Sequence, residues 1–347
     1  MAMVKAAKKV AKGLGVLVVL VLVLAGGYVA YASATAAKRL AFPDAAFPAV
    51  TVSKDPAIVE RGRYLAHGAA HCSHCHSVDD REHPEKIAPD SPLVGGLEFA
   101  MGPIGTFYAA NLTSDPETGL GALSDGQIAR AVRHGVMHEG TMSILMRYAA
   151  AQPSDEDLGA IISYLRTLPP VKHAVPKGGL ALFGKAILPM FSGLAPRQGP
   201  APVGVQPAAE PTVERGAYLA DHVALCTGCH TPLDMRTLEP TGPKGSGGSV
   251  DESHGADKDM EFQPPNLTSD KAGYTGRASE ETFLQRMRAG RGITSSIMPW
   301  ENFKTLTDDD LKSIYRYLKS LPPVRNDLGP TYRKKGTWKP RAELAKM

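Results

Sequence analysis

The sequence predicts an all-α protein: two tandem copies of one small helical unit with long loops, behind an N-terminal helix long enough to cross a membrane. Three observations predict it. An uncharged apolar run occupies Leu14 to Ala32. Four short segments recur, in order and at nearly constant offset, in the second half of the chain. Each copy opens and closes on a capped stretch with helical apolar spacing. The length, 347 residues, suits two domains. With 43% apolar residues, the chain is neither wholly disordered nor a multi-span membrane protein. Its 35 Gly and 28 Pro imply much loop, and four cysteines are too few for a disulfide scaffold.

The N-terminal run is 19 residues long and follows Lys5, Lys8, Lys9 and Lys12. A bilayer span needs about 20 apolar residues, whereas a secretory apolar core is usually about 7–15. The length favours a retained anchor, and the positive-inside rule leaves the lysines in the cytoplasm and exports the rest. Tyr28 and Tyr31 stand near the far end, where aromatic residues favour the membrane interface. Ala32-Ser33-Ala34 is a small-x-small pattern that a signal peptidase could cut, so residues 1–34 read as anchor or cleaved signal. The same four lysines supply the whole formal charge of +4; without them 35 basic residues face 35 acidic ones. That balance excludes a nucleic-acid-binding domain, which would carry a basic excess.

The repeat sets the organisation. Glu60-Arg61-Gly62-Arg63-Tyr64-Leu65-Ala66 returns as Glu214-Arg215-Gly216-Ala217-Tyr218-Leu219-Ala220. Asn111-Leu112-Thr113-Ser114-Asp115 returns at Asn266 to Asp270, Ser154 to Leu158 at Thr307 to Leu311, and Tyr164 to Val171 at Tyr317 to Val324. The expected units are 53–171 and 210–325, joined by a linker at 172–209 and followed by a tail at 326–347.

Within the first unit, Asp55 and Pro56 suit a helix start. The closing helix has Ser154 as cap with Asp157 three residues on, a variant of the capping box. Its Leu158, Ile161, Ile162 and Leu165 share one face, and Pro169-Pro170 ends it. The matching helix starts at Thr307 with Leu311, Ile314 and Leu318. Middle helices are expected from Ser124 and Ser279, and no segment between them alternates like a strand. The linker is Pro- and Gly-rich around an apolar patch from Leu180 to Leu194, too short to span a bilayer. It reads as a strap over the two units, or as a segment that touches the bilayer surface or a partner subunit. The tail is expected to wrap the surface.

All four cysteines lie in two copies of one pattern, Cys72-Ser73-His74-Cys75-His76 and Cys226-Thr227-Gly228-Cys229-His230. C-x-x-C-H is the attachment signature of c-type haem. The spacing lets two thiols reach the two vinyl groups of one porphyrin edge and sets the next residue, His, beneath the iron. A redox dithiol or a single zinc site made by all four cysteines are the competing readings. Neither requires a His after each pair, nor one complete site at the same place in each repeat. Two covalent haems are therefore expected, with His76 and His230 as iron ligands.

A methionine on the other face makes a six-coordinate site. Met298, in Met298-Pro299-Trp300 just before the second closing helix, is placed for this. Met146 is the first-unit equivalent by position, with Arg147 where the proline would be; Met142 is its main rival, followed by Met137 and Met101. His67, His71, His74 and His222 read as surface or proximal-side residues.

From residue 56 to 325 the sequence resembles the membrane-anchored multihaem cytochromes c that serve periplasmic alcohol- and gluconate-type dehydrogenases. The resemblance is carried by Arg-Gly-x-Tyr-Leu before each haem motif, Asn-Leu-Thr after it, Met298-Pro299-Trp300, and Asp-Leu…Tyr-Leu…Leu-Pro-Pro. It implies two cytochrome c-like domains, a bacterial inner-membrane anchor with the haem domains in the periplasm (or, if the signal is cleaved, a soluble periplasmic protein), and Asn111 and Asn266 helping to fix the haem pockets. Asn-Leu-Thr also matches an N-glycosylation acceptor. Well-known relatives have three haems, and this chain has two motifs. The expected function is one-electron transfer between a dehydrogenase-type donor and a respiratory acceptor such as another cytochrome or a terminal oxidase. The chain has no dinucleotide fingerprint or P-loop, so any flavin, nicotinamide or quinone chemistry is expected in another subunit. The alternative is a dihaem enzyme, such as a peroxidase, with one haem open.

Overall fold

The computed structural model describes residues 2–77, 91–197, 199–249, 251–252, 259–293 and 296–337. Helices are its main regular elements. Helix α1 runs unbroken from Ala2 to Arg39, straight through Ala32-Ser33-Ala34. Its apolar stretch is solvent-facing from Leu14 to Tyr28, while Ala36 near its end packs with Leu188 and Leu194 of the linker. This helix is long and apolar enough to cross a membrane.

The helices begin where the cap residues predict. Helix α2 (Pro56–His67) is capped by Asp55, whose carboxylate accepts from the Ala57 amide. Helix α3 is the first cysteine motif itself, Cys72–His76. Helix α4 (Asp125–His134) opens on a closed capping box of Ser124 and Gln127. Helices α5 (Ile144–Ala149) and α6 (Asp155–Leu165) follow, and the linker forms a short α7 (Leu182–Ile187). In the second half, α8 (Val213–Tyr218) runs on into one π-helical turn, Leu219–Val223. Then come α9 (Cys226–Cys229), α10 (Tyr274–Arg277), α11 (Glu280–Arg288, capped by Ser279), α12 (Trp300–Phe303) and α13 (Asp308–Ser320, capped by Thr307).

The loops are not purely irregular, contrary to the expectation of no strands. Strands β1 (Glu98–Ala100), β2 (Gly105–Tyr108) and β3 (Gly179–Leu180) form one antiparallel sheet. Strands β4 (Leu233–Asp234) and β5 (Glu239–Pro240) form a second. Strands β6 (Asp251–Glu252), β7 (Met260–Phe262) and β8 (Tyr332–Lys334) form a third. Segments of two to four residues are too short to show a period-2 pattern. The tail takes part through β8; residues 338–347, the rest of the expected wrap, lie outside the described residues.

Helix α2 packs along α6, and α8 along α13. The crossing points are Gly62 and Gly216, the glycines of the repeated Arg-Gly-x-Tyr-Leu. A Cβ on Gly62 would overlap the Ala160 carbonyl, and one on Gly216 the Ser313 carbonyl. The arginine beside each glycine then meets a carboxylate. Arg61 Nε lies 2.6 Å from Asp157, and Arg215 pairs with Asp310 through two bonds of 2.8 and 3.0 Å.

The tyrosines of the same motif cross over. Tyr64 donates to Asp310 (2.7 Å) and accepts from the Thr307 amide (3.1 Å), in the other half of the chain. Tyr218 donates to Asp157 (2.6 Å) and accepts from the Ser154 amide (3.0 Å). The expected capping-box variant at Ser154 is therefore only half present. Ser154 Oγ accepts from the Asp157 amide, but the cap amide is bonded to Tyr218, because Asp157 is engaged by Arg61 and Tyr218. Burial first, then the adjacent carboxylate, pushes both phenols far above the usual tyrosine range, so both stay protonated donors. Buried side chains of both halves, among them Leu65, Ile161, Leu219, Phe283, Leu311 and Leu318, form one connected cluster.

A hydrogen bond to a charged group contributes about 1.5–3 kcal/mol. Tyr218→Phe should therefore lower the unfolding free energy by about that amount in a denaturant titration. An unchanged midpoint and slope would show that the exchanged tyrosines carry no weight.

Candidate functional site

Both cysteine motifs open onto a single cavity of about 2790 Å³. A pocket for one small ligand is about 300–1,000 Å³, so this space suits more than one large, flat, apolar group. Its wall includes Cys72, Cys75 and His76 together with Cys226, Cys229 and His230. Met146 and Met298 line it as well, and so do Met142, Met137 and Met101. Met142 is buried and Met146 partly covered. Of the predicted site residues, Asn266 is not on the wall, although its neighbour Pro265 is.

The two motifs are held alike. The residue before the first cysteine, His71 or Leu225, is in the left-handed region at φ 42° and 53°. A non-glycine residue there costs about 1–3 kcal/mol and persists only where its surroundings fix it. Each short motif helix then delivers its histidine to a backbone carbonyl. His76 Nδ1 lies 2.7 Å from the Ala110 oxygen, and His230 Nδ1 lies 2.8 Å from the Pro265 oxygen. A carbonyl can only accept, so Nδ1 carries the proton and Nε2 keeps its lone pair. Burial pushes both imidazoles below the usual histidine value, which favours the neutral form that binds metal. The carbonyls of the histidines are held too, by the amides of Gly95 and Gly247 at 2.8 Å each.

Asn111 and Asn266 act one step back from the imidazoles. Each follows the carbonyl that orients a histidine, and each is almost fully buried. Asn111 Nδ2 donates to the Val171 oxygen (2.9 Å), and its Oδ1 accepts from the Thr113 amide (2.9 Å). Asn266 donates to the Val324 oxygen (2.7 Å) and accepts from the Thr268 amide (2.9 Å). Each side chain ties its loop to the Pro-Pro-Val segment after the closing helix. Their burial and full engagement leave no amide for glycan attachment.

The methionine loops are also fixed. Trp300 Nε1 donates to Ser296 Oγ (3.2 Å), and Arg286 stacks 3.7 Å over the Trp300 ring, which holds the turn at Met298. Asn302, four residues after Met298, donates to the His67 oxygen and to Ser73 Oγ, both at 2.7 Å. The loop after Met298 is thereby stitched to the first cysteine motif. At Met146 the clamp comes from the linker. Arg197 donates to the carbonyls of Arg147 (2.6 Å) and Ala150 (3.2 Å), and Arg147 Nε to Ala195 (2.8 Å). That stretch of the linker, just after the apolar patch, thus straps the Met146 loop of the first half. His67 is buried and bonded to Tyr164 rather than on the surface, and His71 packs edge-on to Phe303.

The donor set fits a covalently held haem better than its competitors. Burial pushes the Cys72 and Cys226 thiols up to about 12, the opposite of the depressed value of a redox dithiol. Among the described residues, no three His, Cys, Asp or Glu come together in a metal-binding cluster, so the four cysteines do not converge on one zinc position. Sequence reasoning missed the two orienting carbonyls. One belongs to an alanine and the other to a proline, and a backbone oxygen leaves no mark in residue type; only its place before the repeated Asn could have flagged it.

No protein-family model matches the chain. It is 34% identical over 281 residues to the gluconate 2-dehydrogenase cytochrome c subunit of Pantoea cypripedii, covering 76% of this chain and 60% of that protein. It is 31% identical over 294 residues to the cytochrome c subunit of the quinone-dependent alcohol dehydrogenase of Gluconacetobacter polyoxogenes, 80% of this chain and 58% of that one. A dihaem c-type cytochrome of Cereibacter sphaeroides is 26% identical over 265 residues, 74% of this chain and 83% of that one. The chain thus spans less than two thirds of the length of the two dehydrogenase subunits.

Loss of the Asn266 side chain leaves the buried Thr268 amide without its partner, at a cost of about 1–3 kcal/mol. Asn266→Ala should lower stability by about that amount in urea. A variant as stable as the wild type would remove Asn266 from the support of the second motif.

Proposed function

The chain is homologous to the cytochrome c subunits of gluconate and alcohol dehydrogenases, and from that kinship we propose that it is a dihaem electron relay. Electron transfer is the common trade of such subunits; the number of haems, their ligands and the partners are this reading's own. Cys72, Cys75 and His76 would hold one haem c, and Cys226, Cys229 and His230 a second. Met298 would complete the second site and Met146 the first. The observation that carries the reading is the matched pair of histidines. In both motifs a backbone carbonyl fixes Nδ1 and leaves Nε2 as the free donor beside one shared cavity.

The haems, when bound, supply reversible one-electron chemistry at iron. The chain does the rest. The two carbonyls hold each imidazole in one tautomer and one orientation, which raises its basicity as a ligand. The apolar wall excludes water and keeps the environment of low dielectric, a lever on potential. The bonded loops at Met298 and Met146 would hold a sulfur ready for each haem, so the protein would need only a docking partner. Tandem cytochrome c-like domains at 53–171 and 210–325 follow from this reading. So do an inner-membrane anchor at α1, a periplasmic location for the haem-bearing part, a dehydrogenase-type donor and a respiratory acceptor.

Met298→Ala tests the assignment of the second site. The variant should retain two haems per chain by pyridine haemochrome, convert one of them to a high-spin ferric spectrum and allow that one to bind carbon monoxide when reduced. An unchanged ferric spectrum would remove Met298 as ligand.

A further inference from the structure

The linker between the two halves carries more apolar surface than a strap requires. Leu182 is 63% exposed, Phe183 52% and Met190 58%, all within nine residues, while Gly184 and Leu188 beside them are buried. The buried side of the segment faces Ile104, at Gly184, and α1. Tyr28 donates its hydroxyl to the Ala186 oxygen at 2.9 Å, and Leu188 and Leu194 pack on Ala36.

The height of this contact along α1 is informative. The apolar run Leu14–Ala32 rises about 28 Å at 1.5 Å per residue, close to the roughly 30 Å of a bilayer's hydrocarbon core. Its far end therefore falls at Tyr28–Ala32, where the linker docks. Tyr28 and Tyr31 are themselves 47% and 59% exposed, as aromatic residues of an interfacial belt are. Charge does not oppose the placement: residues 172–209 contain no acidic residue, although Lys172 is paired with Glu117 and Arg197 is engaged by backbone carbonyls. A short segment with an exposed apolar face is suited to the boundary between headgroups and acyl chains.

We propose that α7 and the turn after it, Leu188–Met190, form a membrane-surface foot, with Leu182, Phe183 and Met190 in lipid on the same side as the end of α1. The proposal rests on the reading of α1 as a bilayer-embedded helix. The foot is not a loose flap. Strand β3 pairs with β2, the Ala181 amide donates to the Ile104 oxygen at 2.9 Å, and the Gly193 amide donates to the Arg236 oxygen at 3.0 Å. Both halves of the haem-bearing body are thus tied to it. The body is held against the bilayer at two places, α1 and the foot, which fixes its tilt instead of leaving it to swing on a single helix.

The test uses the full chain in vesicles of phosphatidylcholine and phosphatidylglycerol that contain a trace of phosphatidylcholine with a diazirine in its acyl chain. After irradiation, adducts are located by mass spectrometry. Adducts should appear on the apolar stretch of α1 and also on Leu182, Phe183 or Met190. The double variant Leu182→Gln, Phe183→Gln, with an unchanged visible spectrum as evidence of folding, should lose the linker adducts and keep those on α1. Adducts on α1 alone would overturn the foot and leave the anchor standing. Adducts on neither would overturn both.

Discussion

Two buried carboxylates, Asp157 and Asp310, hold the architecture together. Taking an ionised group out of water costs several kcal/mol even after relaxation, so each must be matched by close donors. Each receives an arginine from its own half and a tyrosine from the other. The arginines lock the opening helix of each half to its closing helix, at a crossing that only glycine permits. The tyrosines lock half to half. Separation of the halves would strip each carboxylate of a donor and each closing helix of the partner for its cap amide. The two halves therefore stand or fall as one cooperative unit, consistent with the single connected core.

The site inherits its rigidity from that frame. Each closing helix ends in a Pro-Pro-Val segment, and the valine carbonyl is bound by a buried asparagine. The asparagine fixes the loop whose preceding carbonyl orients a histidine. A continuous chain of polar contacts therefore runs from the buried carboxylates, through the closing helices, to the imidazoles that face the cavity. Asn302 adds a direct tie from the Met298 side of the second site to the first cysteine motif. An electron relay benefits from such stiffness, since an unchanging ligand geometry in both oxidation states keeps reorganisation small.

Much of this was legible in residue order. The helix starts at Asp55, Ser124, Ser154, Ser279 and Thr307 are local events, set by a side-chain oxygen and an amide two or three residues on, and local events survive in a one-dimensional pattern. The cysteine motifs were legible for the same reason. The tyrosine exchange was not. Tyr64 and Asp310 stand 246 residues apart, and the repeat makes each tyrosine look equally suited to its own half. The short sheets escaped because two to four residues hold too little alternation. Position put Met146 first for the first site, while Met142, Met137 and Met101 share the cavity wall with it. The linker's apolar patch was visible as composition, but only its docking height on α1 gives that patch a direction.

The measurement that bears most directly on the relay is an optical redox titration of the wild-type chain, repeated under carbon monoxide and with peroxide. Two closed haems should titrate reversibly, bind no carbon monoxide and consume no peroxide. A haem that binds carbon monoxide and turns over peroxide would contradict the relay and make the chain a dihaem enzyme with one open site.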